Sequence, residues 1–264
     1  MWWLLLIMVT TIVISILLIR LDLFERNFTQ IIKSQENLTA RGFTTMGDLL
    51  QSYKASLVAP TQEQLSKLSR CVNLMKNTAL IDLRSVEIIL VGNHVEAGLP
   101  FTVENKIILP LNSLAKSDEK LAATIFHETI HLLQRYNRSL CEDLYTNYWG
   151  FVPIEITLPT FARNNPDLDD TYYSWNGNVI FTTIQNKSIK KLHYYYYDKH
   201  MKLHKGSPKD YRSYFKDIFN IEHPNEIMAE LLTKILFGKR KIDTVASRSL
   251  MDWYNKHVSQ ETTT

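Results

Sequence analysis

Apolar positions along this chain follow two periods. Across residues 46–75 they recur at helical intervals, at Leu49, Leu50, Tyr53 and Leu57 and then at Leu65, Leu68, Val72, Leu74 and Met75. Pro60 divides that stretch, so it predicts two helices. The character changes at 86–91 and 107–111, two short runs rich in β-branched residues, with Gly98, Pro100 and Asn105 punctuating the gap. These read as two strands joined by a loop. Helical spacing returns over 121–133, where Ser117 offers an N-cap and Asp118 and Glu119 place acid in the first turn. That helix is expected to run to about Arg135. Pro153 and Pro159 limit any helix in 138–165, and Asn176, Gly177 and Asn178 break the β-rich run 172–184 like a hairpin turn. Residues 186–220 are dense in Tyr, His and Lys. A strong helix starts near Pro224 and stops before Gly238, a weaker one covers 247–258, and 259–264 form a tail.

The first nineteen residues carry no charged side chain, and their length matches the roughly 20 residues needed to cross a bilayer. No Lys or Arg precedes the run and no Ala-x-Ala follows it, which separates it from a cleaved leader. The expectation is an uncleaved single-pass anchor over 1–20, a juxtamembrane segment over 21–45 with a helix in 21–35, and one domain over 46–258. Arg20, Arg26 and Lys33 after the anchor favour a cytoplasmic domain. Sequons at Asn27, Asn37, Asn137 and Asn186 point the other way, so the membrane side stays open.

Composition adds little. The 264 residues suffice for a sizeable core, and 45% hydrophobic with 22% charged residues is ordinary for a globular chain. A net charge of +3 without a dense basic run argues against nucleic acid. Lys239, Arg240 and Lys241 read as cations following a helix end. Cys71 and Cys141 could pair in an oxidising compartment but make no metal motif.

The chemistry concentrates at His127-Glu128-Thr129-Ile130-His131. Two histidines four apart on a helix lie one turn above the other, so both imidazoles reach one metal ion, while Glu128 beside the first can take a proton from water. Gly and His do not follow at the third and sixth positions after His131, which are Gln134 and Asn137, and this excludes the metzincin pattern. A partner helix carries Glu226 and Glu230 on one face, opposite Ile227, Met228, Leu231, Leu232 and Ile235, with small Ala229 between them. The combination of HExxH and a downstream Glu-x-x-Ala-Glu resembles the gluzincin type of zincin metallopeptidases. That resemblance implies one Zn2+ held by His127, His131 and Glu226, with Glu128 as general base. It also implies that Glu230 accepts a ligand histidine N–H to fix its tautomer. Two features depart from the family pattern: Glu230 stands where Asp is usual, and 95 positions separate His131 from Glu226. Glu142, Asp143 and His223 are competing ligands.

Other residues carry less. The segment from His193 to Tyr214 offers donors for an oxyanion without singling one out. The strand at 107–111 would serve as a substrate-pairing edge. Asp167, Asp169 and Asp170 read as a turn cap or solvated loop, or as an accessory calcium site. The expected fold is α+β and zincin-like, a small twisted sheet packed on the HETIH helix with a mainly helical C-terminal half. The expected function is a membrane-anchored zinc metallopeptidase acting on a peptide or protein substrate. Its rivals are a non-catalytic protein stapled by zinc and a membrane-tethered interaction protein whose HExxH is coincidental.

Overall fold

The structure is a computed structural model that describes residues 23–75, 86–168, 171–185, 188–238 and 242–257. The fold is α+β. Its helices are α1 (Glu25–Ile31), α2 (Gln35–Ala40), α3 (Met46–Ala55), α4 (Gln62–Met75), α5 (Asp118–Tyr136), α6 (Arg138–Asp143), α7 (Lys209–Tyr214), α8 (Pro224–Phe237) and α9 (Val245–His257). The strands are β1 (Leu57–Val58), β2 (Glu87–Val91), β3 (Phe101–Val103), β4 (Lys106–Pro110), β5 (Phe151–Ile154), β6 (Tyr172–Trp175), β7 (Val179–Gln185), β8 (Ser188–Tyr197) and β9 (Leu203–Lys205).

A four-stranded sheet of order β1-β2-β4-β3 forms the centre. β2 runs parallel to β4, with Ile88 opposite Ile107 and Leu90 opposite Leu109, while β3 returns antiparallel on β4. Successive side chains of a strand point to opposite faces, and β4 uses both. Ile107 and Leu109 enter the cluster that holds Phe126 and Ile130 of α5, whereas Ile108 enters a second cluster behind the sheet. A strand covered on both sides needs an unbroken apolar run, and that is what 107–109 supplies.

The second cluster corrects the expected juxtamembrane segment. Leu23, Phe24, Phe28 and Ile32 are buried there with Leu49 and Tyr53 of α3. Phe28 and Tyr53 meet edge to face at 5.2 Å, so residues 23–55 form the back layer of the domain. Asn37 lies inside this layer, its amide donating to the Ala162 carbonyl at 2.8 Å, which removes it as a glycan acceptor in the folded state. The single-pass, membrane-tethered chain is corrected as well. No helix among the described residues is long and apolar enough to cross a membrane, and residues 1–20 lie outside the described residues. The tail at 259–264 lies outside them too.

The second half is not mainly helical. Residues 151–205 carry β5 to β9, in a β5-β6 pair and a β7-β8-β9 sheet. The tyrosine run 194–197 belongs to β8, where aromatic side chains suit a pleated, half-buried surface. Asn176 and Gly177 take positive φ of 49° and 75°, and the Trp175 and Asn178 backbones bond reciprocally around them. Such a turn is the expected hairpin signal, but the strands it joins pair with β5 and β8 instead of with each other along their length.

α5 and α8 fulfil their local signals. The Ser117 hydroxyl accepts from Lys120 N to cap α5, and Pro224 opens α8 behind an N-cap at His223. Ala229 is fully buried in the cluster shared with α5. Cys71 and Cys141 are both buried and free.

Candidate metal centre

His127 and His131 project from α5 and Glu226 from the first turn of α8. Their ligand atoms converge: His127 Nε2 to His131 Nε2 is 3.2 Å, His127 Nε2 to Glu226 Oε2 is 3.6 Å, and His131 Nε2 to Glu226 Oε2 is 3.9 Å. Two atoms bonded to one tetrahedral ion at about 2.0–2.2 Å lie about 3.3–3.6 Å apart. The three separations bracket that range, so two imidazole nitrogens and one carboxylate oxygen could hold a single cation here. Burial works against a charged Glu226, yet His131 and His127 hold its pKa well below the usual carboxylate value. His127 is raised: burial lowers it, and the hydrogen bond and charge of Glu226 outweigh that.

Gln134, which carried no signal in the sequence, sets the tautomer of His131. The Asn225 carbonyl can only accept, so it takes the Gln134 Nε2–H at 2.8 Å and turns Oε1 toward His131. Oε1 lies 2.9 Å from His131 Nδ1, which must then carry the proton. The lone pair of His131 is thereby left on Nε2, facing Glu226 and His127. This is the work expected of Glu230, and that expectation is corrected. Glu230 accepts instead from Phe219 N and Asn220 N, both at 2.8 Å, and pairs with Lys234. Its position one turn past Glu226 carries it beyond the histidines to the preceding loop.

Glu128 is buried, and its Oε2 has no hydrogen-bond partner among the described residues. Burial first, then the charges of Asp167 and Glu226, push its pKa well above the usual value. Asp167, expected in a turn or solvated loop, lies at the site. Its Oδ1 accepts from Thr102 N at 2.7 Å and Thr102 Oγ1 at 2.9 Å. Glu128, His131 and Asp167 offer ligand atoms within 4.8 Å of one another, as His127, His131 and Glu226 do. Asp169 and Asp170 lie outside the described residues.

Asn165 supports Glu226 from the other side. Its Nδ2 donates to Glu226 Oε1 at 2.6 Å and to Glu222 Oε1 at 3.1 Å. Glu222 also takes the Thr182 hydroxyl and lies 3.4 Å from Arg163 Nη1. Loop 160–165 is fixed from behind by the buried pair Arg41–Glu96, whose guanidinium bonds both Glu96 oxygens, at 2.6 and 2.9 Å, and the Asn164 carbonyl at 2.9 Å.

The competing ligands are engaged elsewhere. Glu142 pairs with Arg138 at 2.8 Å and Asp143 with His257 at 3.4 Å. His223 accepts from Asn225 N through Nδ1 and donates from Nε2 to the Thr171 carbonyl. β4 is not the expected edge strand, since β2 and β3 flank it. The edge is β3, and Asp167 occupies its Thr102 N–H.

A cleft of about 340 Å³ opens over His127, Glu128 and Glu226. Of the tyrosines and histidines between 193 and 214, only Tyr194 lines it among the described residues, and its hydroxyl donates to the Phe219 carbonyl. No family model, curated protein or solved structure matches this chain.

Proposed function

We propose that this chain is a zinc-dependent peptidase of the zincin kind, with His127, His131 and Glu226 holding one zinc ion. The observation that carries the reading is the meeting of three ligand atoms from two helices within 3.2–3.9 Å, beside a buried carboxylate with a free oxygen. Zinc bound there would act as a Lewis acid toward water and a substrate carbonyl. Glu128 accepts the proton as the water oxygen attacks the carbonyl carbon. It returns that proton to the amine as the C–N bond breaks. Gln134 and Asn165 orient His131 and Glu226, so the ligands need not reorganise.

The test is metal analysis of the purified chain together with hydrolysis of a quenched fluorescent peptide library. The wild type should carry about one equivalent of zinc and cleave, losing activity to chelator. Glu128→Gln should keep zinc and lose cleavage by 10²-fold or more, on the order expected for a proton-transfer group. Glu226→Ala should lose zinc, whereas Glu230→Gln should retain it. A wild type without stoichiometric metal, or a Glu128→Gln variant as active as wild type, would sink the reading.

A non-catalytic metal staple is the second reading, and the place of Asp167 favours it. A fourth protein ligand closes a structural zinc site, and Asp167, like Glu128, offers a ligand atom within 4.8 Å of one on His131. Stoichiometric zinc without cleavage of any peptide, and lower zinc content in Asp167→Asn, would select it.

A further inference from the structure

We propose that Asp167 receives the free amino group of a ligand, so that the cleft works on the first residue of a peptide, one with an apolar side chain. The cleavage in this statement rests on the peptidase reading, whereas the amine site does not. Among the described residues the cleft is lined by three carboxylates, Glu128, Asp167 and Glu226, and one guanidinium, Arg163. The Arg163 side chain is 6% exposed and lies 3.4 Å from Glu222, so its charge is matched outside that trio. Glu226 belongs with the two histidines and Glu128 with the attacking water, which leaves Asp167 without a task. Its Oδ1 takes the Thr102 N–H and hydroxyl, and its Oδ2 accepts no hydrogen bond among the described residues. Asp167 also lines a pocket of about 50 Å³ with His131 and Arg135. That space suits a water or two, so a peptide meets Asp167 from the cleft.

The edge of the sheet makes the ligand a chain end. An extended peptide adds to a sheet through the N–H and C=O groups of an outer edge, and along a strand these point outward at every second residue. In β3 the outward residue is Thr102, and Asp167 already holds its N–H at 2.7 Å. The next outward position back is Pro100, which has no N–H. Leu99 and Pro100 line the cleft, so a substrate entering it finds this edge closed and does not run on past Asp167. A chain that stops at a carboxylate presents its amino terminus there. The α-nitrogen of a first residue stands two bonds from the carbonyl carbon under attack, and its acceptor lies one hydrogen bond further, about 2.9 Å. Asp167 offers an oxygen within 4.8 Å of ligand atoms on both His131 and Glu128, which suits that short reach. Leu99, Pro100, Ile189, Leu192 and Phe219 give the cleft apolar walls, and its volume of about 340 Å³ is near the small end of ligand sites.

Three aminomethylcoumarin amides, leucyl, N-acetyl-leucyl and N-acetyl-lysyl, test this on the full chain, with zinc content measured alongside. The leucyl amide should exceed both acetylated ones in kcat/KM by about tenfold or more, the worth of one charge-assisted hydrogen bond. In Asp167→Asn, which still accepts from Thr102, that advantage should vanish through a raised KM while zinc content stays unchanged. Should this variant not fold, the order of the three amides on the wild type decides alone. Four results overturn the proposal and leave the peptidase reading standing: equal cleavage of the leucyl and acetyl-leucyl amides, preference for the acetyl-lysyl amide, an undiminished advantage in Asp167→Asn, or loss of zinc from that variant. If no amide and no peptide is cleaved, the peptidase reading falls, and calorimetry of leucinamide against N-acetyl-leucinamide decides the amine site. Tighter binding of the amine, abolished in Asp167→Asn, upholds the site, and equal binding overturns it.

Discussion

Replacing Gln134 by Leu tests the structure where it departs most from the sequence. The leucine approximates the volume but can neither accept from His131 Nδ1 nor donate to the Asn225 carbonyl, bonds of 2.9 and 2.8 Å between buried groups. Each buried polar group left unpaired costs about 1–3 kcal/mol. The Asn225 carbonyl keeps its helical bond within α8, so with His131 Nδ1–H orphaned the fold should lose about 1–3 kcal/mol, a sizeable share of the 5–15 kcal/mol typical of a domain. The second consequence is chemical. Without Oε1 nothing selects the Nδ1–H tautomer of His131, and loss of such a partner typically lowers metal affinity 10–100-fold. Stability is read from urea unfolding at fixed pH, as a lower midpoint at unchanged m. Zinc affinity is read by competition with a chromophoric chelator. Gln134→Glu provides a control, since its carboxylate still accepts from His131 but opposes the Asn225 oxygen. It should lose stability while keeping more of the zinc affinity than Leu does. Should Gln134→Leu unfold within 1 kcal/mol of wild type and bind zinc as tightly, the account of His131 given above is wrong.

Two further outcomes concern the frame. Arg41→Leu strands Glu96, whose side chain is 1% exposed, so it should cost about 3–5 kcal/mol in urea unfolding; Arg41→Leu with Glu96→Leu should recover part of that. A double variant no more stable than the single would show that the Asn37 and Asn164 carbonyls, rather than the ion pair, carry the effect. Asp198 is held at about 2, down from 3.8, first by the His204 hydrogen bond and then by the backbone N–H groups of Lys202 and His200. A depressed carboxylate stabilises the fold above its unfolded pKa and loses that contribution as pH falls through the folded value. The stability gap between wild type and Asp198→Asn should therefore be full above pH 4 and shrink toward pH 2. A gap constant across that range would contradict the linkage.

Local signals explain why α5 and α8 were readable. A cap at Ser117, acid in the first turn, Pro224 at an N-terminus and an apolar stripe of helical period are all set by neighbours in sequence. The same locality explains the errors. The helix expected in 21–35 carries Phe24 and Phe28, and a lipid-proximal segment and the back of a β-sheet accommodate such side chains equally. Glu230 shares the face of Glu226, and helical geometry alone cannot tell which of two carboxylates one turn apart meets a histidine and which meets the loop before it.

The sequence by itself determined that two histidines share a helical face with a glutamate beside the first, and that a second helix carries two more carboxylates, because spacing of 3.6 residues per turn is a property of the chain alone. Only the tertiary structure decided what surrounds them. Gln134, Asn165 and Asp167 gain their roles from groups far along the chain, such as Asn225, Glu226 and Thr102, and no periodicity records those meetings. A hydrogen bond between residues distant in sequence is fixed by packing, and packing is settled by the whole core at once.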